Sequence, residues 1–245
     1  MIRYSMRWLI AIWVLMMFSF TSVFADASTA DHSKFKELDK TFTSAPEVTK
    51  ACLTCHTEAA KQIHKTKHWK WEFLNPENNQ RLGKKHILNN FCITPQSNWA
   101  GCTACHIGYG WKDEKFDFTA EERVDCLVCH DTTGGYSKPP GKAGYLADFV
   151  KLKNVAQNVG KTSRDTCGAC HFYGGGGDGV KHGDLDSSLA MPDAELDVHM
   201  DALGADFTCS TCHMGSDHDV VGSRYTPTAK NTEGFLMRGK SDRTK

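Results

Sequence analysis

The pentapeptide CLTCH, residues 52–56, recurs in form as CTACH (102–106), CLVCH (126–130), CGACH (167–171) and CSTCH (209–213). Eleven cysteines and twelve histidines scattered at random through 245 residues would give about 0.02 such strings, so five copies need a cause. Two cysteines with two residues between them put both thiols on one side of a turn, where each adds to one vinyl group of the same haem. The histidine that follows lies under the porphyrin and supplies a nitrogen to iron. Zinc sites and disulfides also use C-x-x-C. Neither explains a histidine directly after every pair, so the reading is five covalently bound haem c groups.

The haem-binding residues are then Cys52, Cys55 and His56; Cys102, Cys105 and His106; Cys126, Cys129 and His130; Cys167, Cys170 and His171; and Cys209, Cys212 and His213. The first cysteines are 50, 24, 41 and 42 residues apart, and no internal repeat accompanies the motifs.

Residues 1–25 open with Arg3 and Arg7, run apolar from Trp8 to Phe20, and end with Val23 and Ala25 at the positions a signal peptidase reads. A secretory signal cut after Ala25 is expected, leaving 26–245 as one multihaem domain exported to a periplasm. The apolar run is shorter than the ~20 residues a bilayer requires, so no retained transmembrane segment is expected. Loss of 1–25 removes two Arg and no acid, taking the net charge from +0 to about -2. Haem propionates add further negative charge, which the basic runs Lys61 to Lys70 and Arg81 to Lys85 are placed to offset. Nothing in this balance favours a nucleic-acid partner.

Some 220 residues for five haems is about one haem per 44 residues, little chain for a separate core. The expected fold is mainly α and loop-rich, with haems forming the core. The clearest helix is expected over Thr57 to Phe73, with His64 and His68 on one face. Gly134-Gly135, Pro139-Pro140-Gly141 and Gly174 to Gly177 break any longer element.

Beyond the five motif histidines, seven remain for the opposite face of iron: His32, His64, His68, His86, His182, His199 and His218. A haem with histidine on both faces is sealed for electron transfer; one without is open to substrate. Cys92, the eleventh cysteine, belongs to no motif and is either a buried hydrophobe or a reactive thiol.

The strings CLTCHTEAAKQIHKTKHWKWEF, FCITPQSNWAGCTACHIGYG, CLVCHDTTGGY, CGACHFYGGGGDGVKHGD and DVHMDALGADFTCSTCH together resemble the octahaem tetrathionate reductases, relatives of the pentahaem nitrite reductases and hydroxylamine oxidoreductase. The resemblance runs from about Val48 onward. It implies a catalytic haem on the second motif, with His106 on one face and Lys181, from a distant loop, on the other, and with Asp178 and Cys92 close by. A lysine amine binds iron only when deprotonated, so such a site is switchable by protonation.

Tetrathionate, nitrite and hydroxylamine are the implied substrates. Electrons are expected from a redox donor such as another cytochrome or a quinol-oxidising membrane protein. That family carries eight haem motifs and this sequence five, which implies a truncated product or a natural short form. The competing reading is a pentahaem electron-transfer cytochrome with no substrate chemistry, and the ligand opposite His106 separates the two.

Overall fold

The computed structural model describes residues 30–75, 78–174, 176–213, 217–220 and 222. The expected signal peptide lies outside the described residues, as does most of the tail. From Asp31 onward the described chain forms one unit. Among the described residues, no helix is long and apolar enough to cross a membrane.

Helix α1, Ala45–Leu53, starts with Pro46 in its first turn, where a missing N–H costs nothing. Glu47 accepts from the Thr43 amide at 2.8 Å and its hydroxyl at 2.7 Å, fixing the entry. The inner face presents Val48 and Ala51 to a cluster of Leu38, Phe42, Leu127, Val155 and Ala156. Thr49, buried on that face, donates to the Val124 carbonyl at 2.6 Å. Val155 and Ala156 come from helix α6, Leu152–Gln157.

The helix expected over Thr57 to Phe73 is instead two short ones, α2 (Ala59–Ile63) and α3 (Lys67–Lys70). Thr66 explains the break. Its backbone is extended, its hydroxyl donates to the Ile63 carbonyl at 2.8 Å, and the same oxygen accepts the Trp69 amide at 3.3 Å. A threonine that satisfies backbone groups on both sides competes with helix propagation. Trp71, at φ 53°, then ends α3. The consequence is that His64 and His68 do not share one helix face, while Trp69 and Trp71 both turn inward.

A minimal hairpin follows, β1 (Phe73–Leu74) pairing antiparallel with β2 (Arg81–Leu82), Phe73 opposite Leu82. Gly83 lets the chain fold back: its φ is +121°, and a Cβ there would lie 2.4 Å from the Trp71 carbonyl oxygen. The turn Lys84–His86 then packs on Trp71, whose carbonyl accepts the Lys85 amide at 3.1 Å. The remaining helices are α4 (Trp99–Cys102), α5 (Leu127–His130), α7 (Arg164–His171) and α8 (Cys209–Cys212).

Helices outnumber strands, but they run only four to nine residues, and turns and irregular chain outweigh them. The described residues also build a protein core of their own. Beside the α1 cluster stands an aromatic one built from Trp69, Trp71, Trp111 and Phe116 with Ala60, Ile107, Val124 and Val128. Trp69 is fully buried and anchors its indole N–H on the Phe118 carbonyl at 2.9 Å. Cys102, Cys105, Cys126, Cys129 and Cys170 pack against this cluster, so the attachment turns sit on a protein core.

Candidate functional site

The first, third and fifth motifs each close one helical turn, while at the second the His106 amide donates to the Thr103 carbonyl at 3.0 Å in a tighter turn. The His56 amide donates to the Cys52 carbonyl at 2.9 Å, His130 to Cys126 at 3.2 Å, and His213 to Cys209 at 2.8 Å. That turn brings the two thiols of a motif to one side and swings the histidine beneath them. At the fourth motif a capping box on Ser163 starts α7, which carries Cys167, Cys170 and His171 together.

The turns cluster in space. Side-chain contacts pair the thiol of Cys52 with Cys126, Cys105 with Cys170, and Cys167 with Cys209. Helices α5 and α7 pack together. The fourth motif therefore neighbours the second, third and fifth, and the third neighbours the first.

Two of the seven extra histidines face motif histidines. His68 meets His171 with ring centroids 6.1 Å apart and planes at 83°; His32 meets His56 at 6.2 Å and 20°. One iron held between two imidazoles by bonds of about 2 Å places their centroids on the order of 6 Å apart, so both pairs fit a haem. His218 lies close enough to His130 and His56 for their charges to act on it. Orientation fits as well: Nδ1 of His130 bonds the Gly160 carbonyl at 2.8 Å and Nδ1 of His171 the Gly183 carbonyl at 2.7 Å. A ring held through Nδ1 leaves Nε2 to the metal.

His64, His86 and His199 have other ring contacts, and His182 is placed by its backbone. His64 stacks on Trp69 at 4.6 Å, and His86 bonds Glu72 at 2.6 Å. The His182 amide donates to Asn89 at 3.0 Å, and His199 stacks on Phe207 at 6.1 Å.

The second motif is set apart. His106 is fully buried among Trp69, Trp71, Trp111, Phe116 and Phe118. Its Nε2 donates to the Trp69 carbonyl at 2.7 Å, and Nδ1 has no hydrogen-bond partner. This ring is thus turned the opposite way to His130 and His171, and burial pushes its pKa down to about 3.

Positive charge gathers here. Burial raises the Cys102 thiol, and Lys84 and Lys181 oppose that rise; Lys84 and Lys138 act in the same sense on Cys105. Lys84 lies 5.4 Å from the Trp71 ring centre.

The glycine-rich loop reaches this region from far along the chain. Lys181 Nζ donates to the Asn90 carbonyl at 2.9 Å, and the His182 amide to the Asn89 side chain at 3.0 Å. The turn they clamp, Asn90–Cys92, carries Cys92, exposed and at φ 53°. Lys181 and the Cys92 turn are thus brought together near Cys102. Asp178 is held otherwise, accepting from the Ser187 amide at 2.8 Å and its hydroxyl at 2.9 Å.

Sequence reasoning missed one buried network. Lys138 Nζ lies 2.8 Å from Asp125 Oδ2 and donates to the His106 carbonyl at 2.5 Å and the Gly108 carbonyl at 3.3 Å. Asp125 Oδ1 accepts from the hydroxyls of Tyr109 and Tyr136, each at 2.7 Å, and from the Val128 amide at 3.1 Å. The available signal was Asp125 directly before Cys126 in VDCLVCH.

No family model matches the chain. A crystal structure of an octahaem cytochrome c from Shewanella oneidensis is similar, with a TM-score of 0.71 and 49% identity over 80% of this chain and 43% of that one. The chain thus spans less than half the length of that relative. An uncharacterized protein of Archaeoglobus fulgidus is 26% identical over 264 residues, covering 83% of this chain and 84% of that protein.

Proposed function

We propose that this chain is a multihaem c-type cytochrome of the periplasm, acting as a reductase of small nitrogen or sulfur oxo-species at its second haem motif. The likeness to an octahaem cytochrome c supports the multihaem redox class. The observation that carries the finer reading is the docking of Lys181 onto the Asn90–Cys92 turn, beside Cys102.

Haem bound at Cys102 and Cys105 would supply electrons and a coordination position to the substrate. The chain's own residues do the rest. Lys84 and Lys181 set a positive field at that turn, favouring anions such as nitrite or tetrathionate. Lys181, held over the Asn90 carbonyl, is the side chain that would lie beside a haem bound at Cys102 and Cys105, where it would bind and orient an anion. Asp178 sits on the same loop, tied to Ser187, and orients rather than transfers. Cys92, exposed on the clamped turn, is the group placed to engage a sulfur substrate.

The facing of His32 with His56 and of His68 with His171 supports two haems of electron-transfer type in this reading. The fourth motif, adjacent to the second, third and fifth, is the junction through which electrons reach the second from a donor cytochrome or quinol-oxidising membrane protein.

Low-temperature EPR with near-infrared magnetic circular dichroism on the haem-loaded protein tests this reading. A histidine–lysine signal beside bis-histidine signals is expected; bis-histidine ligation at every haem would make the chain an electron-transfer cytochrome instead.

A further inference from the structure

We propose that the apolar lobe of residues 191–207 is the docking face for a lysine-rich soluble redox protein, which delivers electrons beside the fourth and fifth motifs. The inference rests on the reading of this chain as a multihaem redox protein that takes electrons from a donor.

The lobe turns large apolar side chains outward. Leu203 is 97% exposed, Met191 77%, Val198 64% and Leu196 49%. The Ala202 amide donates to the Pro192 carbonyl at 2.9 Å, so the backbone at Met191 runs close to that at Leu203. A lone exposed leucine is ordinary, whereas four large apolar side chains held out by one short lobe mark an interaction surface.

The place of the lobe is fixed from α7. Arg164, the first residue of α7, donates to the Met200 and Phe207 carbonyls, each at 3.0 Å, and its guanidinium pairs with Asp206. The Phe207 amide returns to the His199 carbonyl at 2.9 Å, and the chain then enters α8 at Cys209. Since α7 carries the fourth motif and α8 belongs to the fifth, the lobe stands beside both attachment turns.

Charge selects the occupant. Between Met191 and Phe207 lie Asp193, Glu195, Asp197, Asp201 and Asp206, with no lysine or arginine among them. Three of these carboxylates are fixed by the backbone of the lobe. Asp193 accepts the Leu196 amide at 3.0 Å, Asp197 the His199 amide at 2.8 Å and the Met200 amide at 3.1 Å, and Asp201 the Leu203 amide at 3.1 Å. Among the described residues, Asp206 alone of the five pairs with a lysine or arginine.

Apolar side chains therefore project among fixed negative charges. A second copy would bring the same negative face and be repelled, and anionic lipid headgroups would be repelled likewise. A partner with lysines around an apolar centre fits both features. Opposite charge steers the encounter, and a small contact lets the pair separate after transfer. Each docking moves one electron: the redox centre of the partner is oxidised and one ferric haem of this chain becomes ferrous, with no bond or proton exchanged.

The probe is ferric mitochondrial cytochrome c, a soluble haem protein ringed by lysines. Mixed in stopped flow with dithionite-reduced chain, it takes one electron from a ferrous haem, so the face is read in reverse. The rate should fall about tenfold or more as salt screens the charges. Glu195→Lys should slow the reaction about tenfold at low salt, while Glu114→Lys, an equal change of charge outside the lobe, should not. Leu203→Ser should slow it at every salt concentration, because it removes contact and not charge. Glu195 and Leu203 take no part, through their side chains, in the bonds that hold the lobe, so neither variant threatens folding. Equal slowing by Glu195→Lys and Glu114→Lys, or a rate indifferent to salt, overturns the proposal.

Carbodiimide coupling, which joins a carboxylate to a lysine in contact with it, identifies the occupant. Peptide mapping should find Asp193, Glu195 or Asp201 joined to lysines of the probe. Links from the lobe to lysines of this chain, within one molecule or between two copies, give the face to the chain itself and overturn the proposal. A chain without a haem spectrum defeats the functional reading instead, and the coupling, which needs no haem in this chain, still decides the docking face.

Discussion

His68 meets His171 edge to face, with ring planes at 83° and centroids 6.1 Å apart. His32 and His56 stand at the same separation but within 20° of parallel. Low-spin iron between perpendicular imidazoles gives a large-g signal, and between parallel ones a rhombic signal. Both should appear in the EPR spectrum of the loaded protein. His68→Ala should remove one large-g component, while His64→Ala, whose ring stacks on Trp69, should leave it in place.

Acid should act on this pair late. Burial, followed by the charges of His171 and Lys67, pushes His68 down to about 4, so its neutral, ligating form persists to that pH. An optical titration should show the large-g haem low-spin at pH 5. For stability the sign is fixed by the unfolded value of about 6.5: between there and about 4 the unfolded chain takes up a proton that the folded one refuses. Unfolding free energy therefore falls as pH drops through that window, by up to about 1.4 kcal/mol per unit. Guanidinium midpoints of haem-free chain should be lower at pH 5 than at pH 7.

Lys181→Ala should abolish the histidine–lysine signal and lower nitrite reduction by roughly 10²-fold. Unchanged turnover and spectrum would remove Lys181 from the site.

Cys92 should be the sole thiol open to alkylation once five haems have taken the ten motif thiols, and mass spectrometry should find one label on it. Blocking it should slow tetrathionate turnover more than nitrite turnover. Equal insensitivity would return it to an inert role.

Gly83→Ala should lower stability by on the order of 1–3 kcal/mol, since φ is +121° and the new Cβ would press on the Trp71 carbonyl. A thermal melt measures this, and an unchanged midpoint would mean that the corner yields freely.

The haem motifs were legible because their chemistry is local: two thiols and an imidazole within one turn. The helix over Thr57 to Phe73 was misread because periodicity does not register a threonine bonding the backbone on both sides, as Thr66 does. Ligand pairing was illegible for a different reason. His32 is distant in sequence from His56, as is His68 from His171, and only the fold brings each pair together. Lys138 and Asp125 went unnoticed in the sequence, since nothing local marks a lysine that will be buried. The lysine loop and Cys92 turn were reached through resemblance, and the contacts of Asn89 and Asn90 with 181–182 give that a physical basis.

Thiols from different motifs touching one another constrain biogenesis. Cys52 reaches Cys126, Cys105 reaches Cys170, and Cys167 reaches Cys209; the contact with Cys170 lowers the Cys105 thiol, which makes it the readier of the two to attack. An oxidant arriving before haem would staple motif to motif and leave each partner one thiol short of two vinyl groups. Haem delivery therefore competes with cross-linking, and a maturing chain needs a reductant at hand until its last thioether closes.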